Sequence, residues 1–476
     1  MNAKFLFCNL LAAALSTVLF PAPAIAANVL VVNKILDTAD GSCDAVDCSL
    51  REAMAAAEFG DSIEFSALFN APQTIVLNGT NLIFSSNVNL KGPGRDLLTI
   101  SGNQQSRIFL IPPAFIATIS DLTIRNGLTP ASGGGIAAQG YLDLRNATVS
   151  QNQSGQFGAG IILSAGFNIA NVIISQNQNT NTSSLTRGGG IYLTNAAAGF
   201  IRNCSISNNT NYDGGGVYVN EGSLTLIEST VANNIASHWG GGINNLRGTL
   251  KVYESAIIAN RASREITAAG IDSTLGTLEI RNSTFSGNIL GTGPFATTNG
   301  AGALWTSSAT TITSSTFTEN SAPPGNKNTS GIYHQEMAIG IRNSIVAGNS
   351  HIGGLADIYT DTPNLFMSQG YNFIGDRGTA VFNGGFDQVG SAASPLSPIL
   401  FALANNGGPT LTHAPQPNSP IIDRGSSFAL TRDQRGSRRP EDNLSVPNAD
   451  DGADIGAYEA FQDIILYDGF ESSFGQ

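Results

Sequence analysis

The stretch RGGGIYLTNAAAGFIRNCSISNNTNYDGGGVYVN, residues 187–220, contains one pattern nearly twice. Three glycines lead into a β-branched residue and a tyrosine, the phrase SISNN follows, and three glycines then lead into a valine and a tyrosine. A pattern that returns after roughly 20 to 50 residues is typical of solenoid proteins, in which one short unit is stacked on the next. The stretch therefore predicts a repeat protein.

The unit can be followed along the chain by the asparagine that ends each copy. Successive asparagines are 25, 32, 25, 26, 28, 32 and 29 residues apart: Asn152, Asn177, Asn209, Asn234, Asn260, Asn288, Asn320 and Asn349. Three and eight positions before each asparagine the residue is apolar, and five positions before it the residue is small. Positions −3 and −5 have the same parity in a strand, so both should point inward. Cys204 falls in the column of small residues, and we expect it to be a buried packing residue.

The residue pattern favours strands over helices. β-branched and aromatic residues recur at every second position between turns rich in Gly, Asn and Ser. Another apolar column directly follows the glycines: Ile136, Ile161, Ile191, Val217, Ile243, Ile271, Ala303 and Ile332. Glycine suits sharp turns between stacked coils, and no helix or lysine follows it as in a phosphate-binding loop. We predict an all-β chain folded as a right-handed parallel β-helix, since parallel crossovers are normally right-handed.

One edge of the predicted coil varies in length. From each apolar residue after the glycines to the next asparagine there are 16 to 18 residues, whereas from that asparagine to the next such residue there are 8 to 15. Variable loops on a rigid scaffold are where solenoid proteins place recognition sites. These loops contain Tyr212 and Asp213 in one copy and His238 and Trp239 in the next. We expect exposed aromatic side chains here to bind an extracellular glycan or a surface protein; ordinary loop sequence is the alternative.

A pair of acidic residues interrupts another column. Six positions before the asparagine most copies have Asn, but two consecutive copies have Glu228 and Glu254. Arg202 and Arg281 lie one position earlier in the flanking copies. Two carboxylates about 5 Å apart can serve a retaining glycosidase, so these four residues are candidate catalytic residues. The alternative is a solvated acidic pair compensated by the arginines.

Composition and motifs exclude several functions. The 476-residue chain has a net charge of −12 and a pI of about 4.7, which argues against nucleic acid as a partner. The four histidines do not have the spacing of metal ligands. The sequence also lacks a Gly-x-Ser-x-Gly motif and a dinucleotide-binding motif. We therefore predict neither a metal site nor a cofactor.

The N-terminus has the features of a secretory signal peptide. Lys4 precedes the apolar run 5–20, and AIA at 24–26 fits a cleavage site, so we assign residues 1–26 to the signal. We predict a secreted or cell-surface protein, on the outer surface of a Gram-negative cell or in the extracellular space. No segment of the mature sequence is expected to span a membrane. In an exported protein, Cys43 and Cys48 should form a disulfide.

Both ends of the chain resemble known families. DGSCDAVDCSLREAMAAA, residues 40–57, closely resembles the CSLREA domain of exported bacterial β-helix proteins, and Ser49 to Glu52 forms a capping box that should begin a short capping helix. NLKGPGRDLLTISG resembles the first coil of a pectate-lyase-like β-helix. Phe285 to Asn288 and Phe317 to Asn320 match the FxxN repeats of polymorphic outer membrane proteins. ANNGGPTLTHAPQPNSPIIDRG and DIGAYE resemble the choice-of-anchor Q region.

These resemblances imply a domain order and two classes of function. The order is a signal peptide at 1–26, an N-terminal cap at 27–60, β-helix coils at 61–350, a choice-of-anchor Q-like region at 351–460 and a tail at 461–476. Such a surface protein is expected to act as an adhesin or a binding scaffold. Pectate lyases and polygalacturonases share the fold, so a polysaccharide lyase or glycoside hydrolase acting on uronic-acid polymers is the alternative. The sequence lacks the Gly-His-Gly motif of polygalacturonases, and we expect binding without turnover.

Overall fold

The computed structural model describes residues 27–181, 186–263, 267–291, 299–324, 327–351 and 357–461. The predicted signal peptide and residues 462–476 of the predicted tail lie outside the described residues. Within the described residues, 46 strands form four sheets, numbered I to IV here in the order in which each coil visits them. Successive coils pair in parallel, as Val149 does with Ile174. The protein is a right-handed parallel β-helix of about 11 turns, as predicted.

Sheets I and II have 13 strands each in the described part of the chain. Sheet I consists of Val29–Val32, Ser62–Phe65, Val88–Lys91, Ile116–Ser120, Tyr141–Arg145, Gly166–Ala170, Ala198–Arg202, Ser223–Ile227, Thr249–Tyr253, Thr277–Arg281, Ala309–Thr313, Ile339–Arg342 and Phe366–Ser368. Sheet II consists of Gln73–Val76, Leu98–Ser101, Thr123–Arg125, Thr148–Ser150, Ile173–Ser175, Ser205–Ser207, Thr230–Ala232, Ala256–Ile258, Thr284–Ser286, Thr316–Thr318, Ile345–Val346, Phe373–Ile374 and Gln388–Val389. The paired strands thus extend on both sides of residues 61–350.

Sheets III and IV are shorter, with nine and eleven strands among the described residues. Sheet III consists of Leu128–Thr129, Gln153–Ser154, Gln178–Asn179, Thr210–Asn211, Ile235–Ala236, Arg261–Ala262, Ile289–Leu290, Ser321–Ala322 and Ser350–His351. Sheet IV consists of Leu82–Ile83, Phe109–Ile111, Ile136–Ala138, Ile161–Leu163, Ile191–Leu193, Val217–Asn220, Ile243–Leu246, Ile271–Thr274, Leu304–Thr306, Ile332–His334 and Ile358–Thr360. The long variable loops connect sheet III to sheet IV.

The core fills the inside of the solenoid and is built from the predicted columns. All eight residues three positions before the asparagines are 0% exposed, and the column of small residues is at most 5% exposed. Burying one such valine or isoleucine contributes roughly 1.5–3 kcal/mol. Cys204 is buried as predicted, and burial raises the pKa of its thiol to about 11. It is therefore protonated and weakly nucleophilic at neutral pH.

The asparagines that mark the repeat form a buried ladder. The Oδ1 atom of Asn177 accepts hydrogen bonds from both the backbone N–H and the Nδ2 of Asn152, each at 3.0 Å. The same pair of bonds recurs from coil to coil up to Asn349. The last amide donates to the buried carboxyl group of Asp357 at 2.7 Å. Because each amide pairs with the next, a row of polar side chains is buried without unmet hydrogen bonds.

The corner between sheets I and II requires left-handed backbone. The residue at that corner has a φ of 49° at Asn146, 56° at Asn171 and 52° at Asn203. Asparagine tolerates this conformation better than most residues, which explains why it dominates the column. Glu228 and Glu254 occupy the same position with φ of 49° and 47°. Two glutamates therefore adopt the left-handed backbone conformation that asparagine adopts in most other coils.

A short helix, Leu50–Ala56, packs against the first strands of sheets I and IV. The predicted capping box is present, since Ser49 Oγ accepts from the Glu52 backbone N–H and the Glu52 carboxylate accepts from that of Ser49. Cys43 and Cys48 form the predicted disulfide. Two 3-10 helices, Ala67–Asn70 and Pro363–Leu365, complete the helical elements of the described residues. Over the described ranges, helices are too short or too polar to cross a lipid bilayer.

The C-terminal segment, residues 391–461, folds back along the outer face of sheet II. Thr284 Oγ1 donates to Gln434 Oε1 at 2.6 Å, and the backbone N–H of Ala457 donates to Thr316 Oγ1 at 3.1 Å. Both threonines face away from the core, yet they are at most 2% exposed because the segment covers them. Ile455 packs on Ile345 of the sheet. The segment thus seals one side of the solenoid.

The C-terminal segment is held by a buried ion pair. Arg439 and Glu459 both have 0% exposed side chains, and Arg439 Nε lies 2.7 Å from Glu459 Oε2. The other guanidinium nitrogens donate to the Gly456 carbonyl at 2.8 Å and to Asn282 Oδ1 of the solenoid at 3.3 Å. The pair therefore joins the segment to a corner asparagine of the coils.

Candidate functional site

The loops between sheets III and IV cover the outer face of sheet IV. On that face one residue per coil points away from the core, in register: Tyr192, Tyr218, Asn244, Asp272, Trp305 and Tyr333. Each of these residues is at most 5% exposed. The rings of Tyr192 and Tyr218 stack at 5.5 Å, and Phe157 of a preceding loop stacks on Tyr192 at 4.8 Å. The variable edge therefore encloses a layer of aromatic and polar side chains.

Four of the residues singled out in the sequence come together on this edge, and we call them the loop-edge cluster: Tyr212, Asp213, His238 and Trp239. The ring centroids of Tyr212 and His238 are 4.9 Å apart, and those of His238 and Trp239 are stacked at 4.1 Å. Stacked rings of this kind gain about 0.5–1.5 kcal/mol beyond burial. The cluster is thus a continuous row of three rings contributed by two consecutive coils.

Asp213 fixes the position of the row through its contacts with His238 and Trp239. It is 2% exposed, and its Oδ1 atom lies 2.8 Å from His238 Nδ1 and accepts the Trp239 backbone N–H at 3.3 Å. Its Oδ2 atom lies 3.7 Å from Arg187 Nε. A buried carboxylate needs such partners. Asp213 therefore orients the rings rather than presenting its own charge to solvent.

The cluster differs from the expectation in exposure. Tyr212, His238 and Trp239 are half-buried instead of exposed, and the His238 side chain is only 18% exposed. The physical reason is that the rings stack on one another and on the loop that carries Asp213. Each of the three rings keeps part of its surface accessible.

A second carboxyl group, that of Asp272, lies in the enclosed layer. The sequence pattern did not single it out as a site residue. It is 2% exposed, and Thr274 Oγ1 donates to its Oδ1 at 3.2 Å. Burial, with a contribution from the charge of Asp213, raises its pKa to about 7. In the described part of the chain, the Asp272 Oδ2 and the Tyr218 hydroxyl have no hydrogen-bond partner. The only signal in the sequence was an aspartate where neighbouring copies have Tyr, Asn or Trp.

The acidic pair at the corner between sheets I and II is only partly compensated. Arg281 Nη2 lies 3.4 Å from Glu254 Oε1, and burial raises the pKa of Glu254, to which the nearby charge of Glu228 adds. Arg202 is exposed. Across the described residues Glu228 forms no ion pair. The structure therefore brings Arg281 to the pair and leaves Arg202 outside it.

Acidic residues also gather at the N-terminal cap. Asp40, Asp47 and Glu52 place oxygen atoms close enough to hold a cation, and they are the one such group found among the described residues. Lys34 already lies against all three carboxylates. An ammonium group at that position supplies the positive charge that a metal ion would bring.

Comparisons with known proteins address the fold. Among solved structures the chain is similar to pectate lyase Pel9A, with 14% identity, a TM-score of 0.38, and coverage of 92% of this chain and 97% of the lyase. It is also similar to a mannuronic acid specific polysaccharide family 6 lyase from human gut microbiota, with 9% identity, a TM-score of 0.35, and coverage of 73% and 86% of the two chains. No curated protein matches the sequence.

A family model gives the wider assignment. The model described as right handed beta helix region matches residues 74–317, which is 244 of the 476 residues. The matched residues run from the first strand of sheet II through the coils that carry the loop-edge cluster and the corner acids. The chain therefore belongs to the right-handed β-helix family.

Proposed function

We propose that the protein is a binding scaffold that recognises an extracellular glycan through the loop-edge cluster. The observation that carries the proposal is the row Tyr212, His238 and Trp239, whose neighbouring ring centroids are 4.9 and 4.1 Å apart and which the buried carboxylate of Asp213 fixes. Ordered aromatic faces with polar edges suit the apolar faces and hydroxyl groups of sugars. Because the rings are already held in place, binding costs little conformational entropy.

The setting proposed for this activity is the outside of the cell. The signal-like residues 1–26, the resemblance of residues 40–57 to the CSLREA domain and the choice-of-anchor Q-like region support an exported, surface-attached adhesin. The FxxN repeats resemble those of polymorphic outer membrane proteins. The Cys43–Cys48 disulfide fits an oxidising compartment.

Trp239→Ala and Tyr212→Ala are each expected to weaken glycan binding about tenfold or more, since buried aromatic contacts dominate binding energy. Both rings are half-buried, so each change should also lower stability by about 1–2 kcal/mol. A glycan array followed by calorimetry on the strongest binder measures the effect. Tyr141→Ala is the matched control, since Tyr141 is 39% exposed on a different sheet.

The proposal fails if no glycan on the array binds, or if Trp239→Ala binds as tightly as the unchanged protein. Binding that Tyr141→Ala also removes would place the contact on sheet I. Capture of a surface protein instead of a glycan, lost in Trp239→Ala, would keep the site and change the ligand.

A second candidate is cleavage of a polysaccharide, and Asp272 is the observation in its favour. A carboxyl group protonated up to about pH 7, beside a second carboxyl group, is an arrangement that glycosidases use for acid–base catalysis. Asp272 is, however, only 2% exposed. A polymer chain does not reach the carboxyl group in this conformation, and for that reason we rank binding first.

Asp272→Asn is expected to flatten part of the pH dependence of stability. The pKa of this carboxyl group is 3.8 in its ordinary, unfolded setting, and burial raises it to about 7 in the folded protein. Between these values the folded protein binds more protons, so the free energy of unfolding should fall as pH rises from about 4 to about 7. Urea denaturation at the two ends of this range should show a smaller fall for Asp272→Asn than for the unchanged protein.

The same variant separates the two candidate functions. We expect no unsaturated or reducing ends from pectin or alginate with either protein, with or without calcium. Release of such ends by the unchanged protein, abolished by Asp272→Asn, would replace binding by catalysis at this site. Release abolished by Glu228→Gln or Glu254→Gln would instead place catalysis at the corner.

A further inference from the structure

A cleft of about 430 Å³ lies on the side of the solenoid away from the loop-edge cluster. One wall is the corner between sheets I and II, and the other is the loop 405–411 of the C-terminal segment. Its polar lining includes Arg95, Asn171, Asn203, Glu228, Thr230 and Asn405. We call it the corner cleft. Its size falls in the range of small-ligand sites, roughly 300–1,000 Å³.

Six of the eight side chains in the corner column have a hydrogen bond or an ion pair within the described residues. Asn171 Nδ2 donates to Asn146 Oδ1 at 2.7 Å, and Asn282 Nδ2 donates to the Arg432 carbonyl at 2.9 Å. Asn343 Nδ2 likewise donates to the Asp454 carbonyl at 3.0 Å. Over the described ranges, the side chains of Asn203 and Glu228 make no hydrogen bond within the protein. The amide of Asn203 and the carboxylate of Glu228 therefore face the cleft with donors and acceptors that are available to a ligand.

The wall opposite these two groups is rigidly built. Asn406 Nδ2 donates to the Thr412 carbonyl at 2.9 Å, and Arg435 Nη1 donates to the Asn406 carbonyl at 3.3 Å. Thr410 Oγ1 donates to the carbonyl of Glu254 at 3.1 Å and so fastens the loop to the coils. The cleft is therefore already formed, and a ligand does not have to order it.

The charges of the cleft indicate the ligand. Glu254 is neutralised by Arg281 at 3.4 Å, whereas Glu228 has no cation partner among the described residues. Arg95 approaches from the other side and donates to the Asn171 carbonyl at 3.1 Å. None of the described residues that line the cleft is aromatic, so a ligand there is not held by ring stacking, and the charged and polar groups set its specificity. The Glu228 carboxylate forms no ion pair with Arg95, whose guanidinium is engaged by the Asn171 carbonyl. With amides and hydroxyls also in the lining, this carboxylate is complementary to an ammonium group on a hydroxyl-rich molecule.

We propose that the corner cleft binds an unacetylated amino-sugar unit of a polysaccharide, with Glu228 accepting from its ammonium group and Asn203 bonding its hydroxyls. This goes beyond the proposed function, because it places a second carbohydrate site on the opposite side of the coils. The two sites together would let one molecule hold two positions of a polymer or two chains.

The experiment is calorimetry of the full mature chain with a trimer of glucosamine and with its N-acetylated counterpart. We expect the glucosamine trimer to bind and the acetylated trimer to bind at least tenfold more weakly, because acetylation removes the positive charge. Glu228→Gln should weaken binding of the glucosamine trimer at least tenfold, and Asn203→Ala several-fold. Glu221→Gln is the matched control, since Glu221 has a 47% exposed side chain and a φ of 61° on the same coils.

Equal affinity for the two trimers, or an unchanged affinity in Glu228→Gln, would overturn the proposal. Absence of any binding would overturn it as well. Trp239→Ala separates this site from the loop-edge cluster: it should leave the trimer affinity unchanged, and a loss in that variant alone would assign the trimer to the loop edge.

Discussion

Val231→Asp is expected to prevent the protein from folding. Val231 is 0% exposed and is paired in register with Ile206 and Ile257 in the stacked core. A carboxylate at this position would lie in the hydrophobic core of the coils, and burying it unpaired costs several kcal/mol. That is a large part of the 5–15 kcal/mol by which folded domains are typically stable. Purified Val231→Asp should elute as an aggregate or give no cooperative transition in urea.

Thr230→Asp is the control for this prediction. Thr230 neighbours Val231 in the same strand but faces the corner cleft and is only half-buried. Its carboxylate would keep contact with water, so the loss of stability should be about 1 kcal/mol. Equal destabilisation by both changes would show that the inward and outward faces of sheet II have been confused.

Arg439→Met is expected to destabilise the protein by about 3–5 kcal/mol, because it removes one partner of a buried ion pair and leaves the other. Glu459 would lose its contact at 2.7 Å, and Gly456 and Asn282 would lose their donors. Burial already raises the pKa of Glu459 and raises that of Asp454 to about 8. The C-terminal segment should then detach from sheet II before the coils unfold, which limited proteolysis would detect as early cleavage within residues 391–461.

The double variant Arg439→Met with Glu459→Gln tests the mechanism. Removing both charges should recover part of the lost stability, since a pair of neutral side chains is cheaper to bury than a lone carboxylate. A double variant that is less stable than Arg439→Met alone would mean that the packing of the segment, and not its charge, sets the effect.

The solenoid could be predicted because the same residue pattern recurs in every coil. Each coil presents the same columns, so the inward parity of Val231 was supported by seven other copies, and all eight side chains are buried. The path of residues 391–461 is not repeated. Its attachment depends on single contacts such as Thr284 with Gln434, which are 150 residues apart in sequence. A contact that occurs only once leaves no repeating pattern in the sequence from which it could be predicted.

The candidate site was predictable only where it depends on the repeat. Tyr212 and Trp239 lie in consecutive copies, so their proximity followed from the stacking. Their half-burial did not follow, because it depends on how the loops fold over sheet IV. Asp272 and the unpaired state of Glu228 were missed for a related reason, since both depend on which neighbours a loop or the C-terminal segment brings.

The asparagine ladder also has a consequence for how this chain can change length. Each rung, such as that of Asn177, needs only an identical rung on either side. A whole coil can therefore be duplicated or deleted in evolution while every remaining amide finds the same partner, and the molecule lengthens or shortens by one strand spacing of about 4.8 Å. The ladder itself ends where the amide of Asn349 donates to the carboxyl group of Asp357. A duplicated coil therefore continues the ladder only if it is inserted before that carboxyl group.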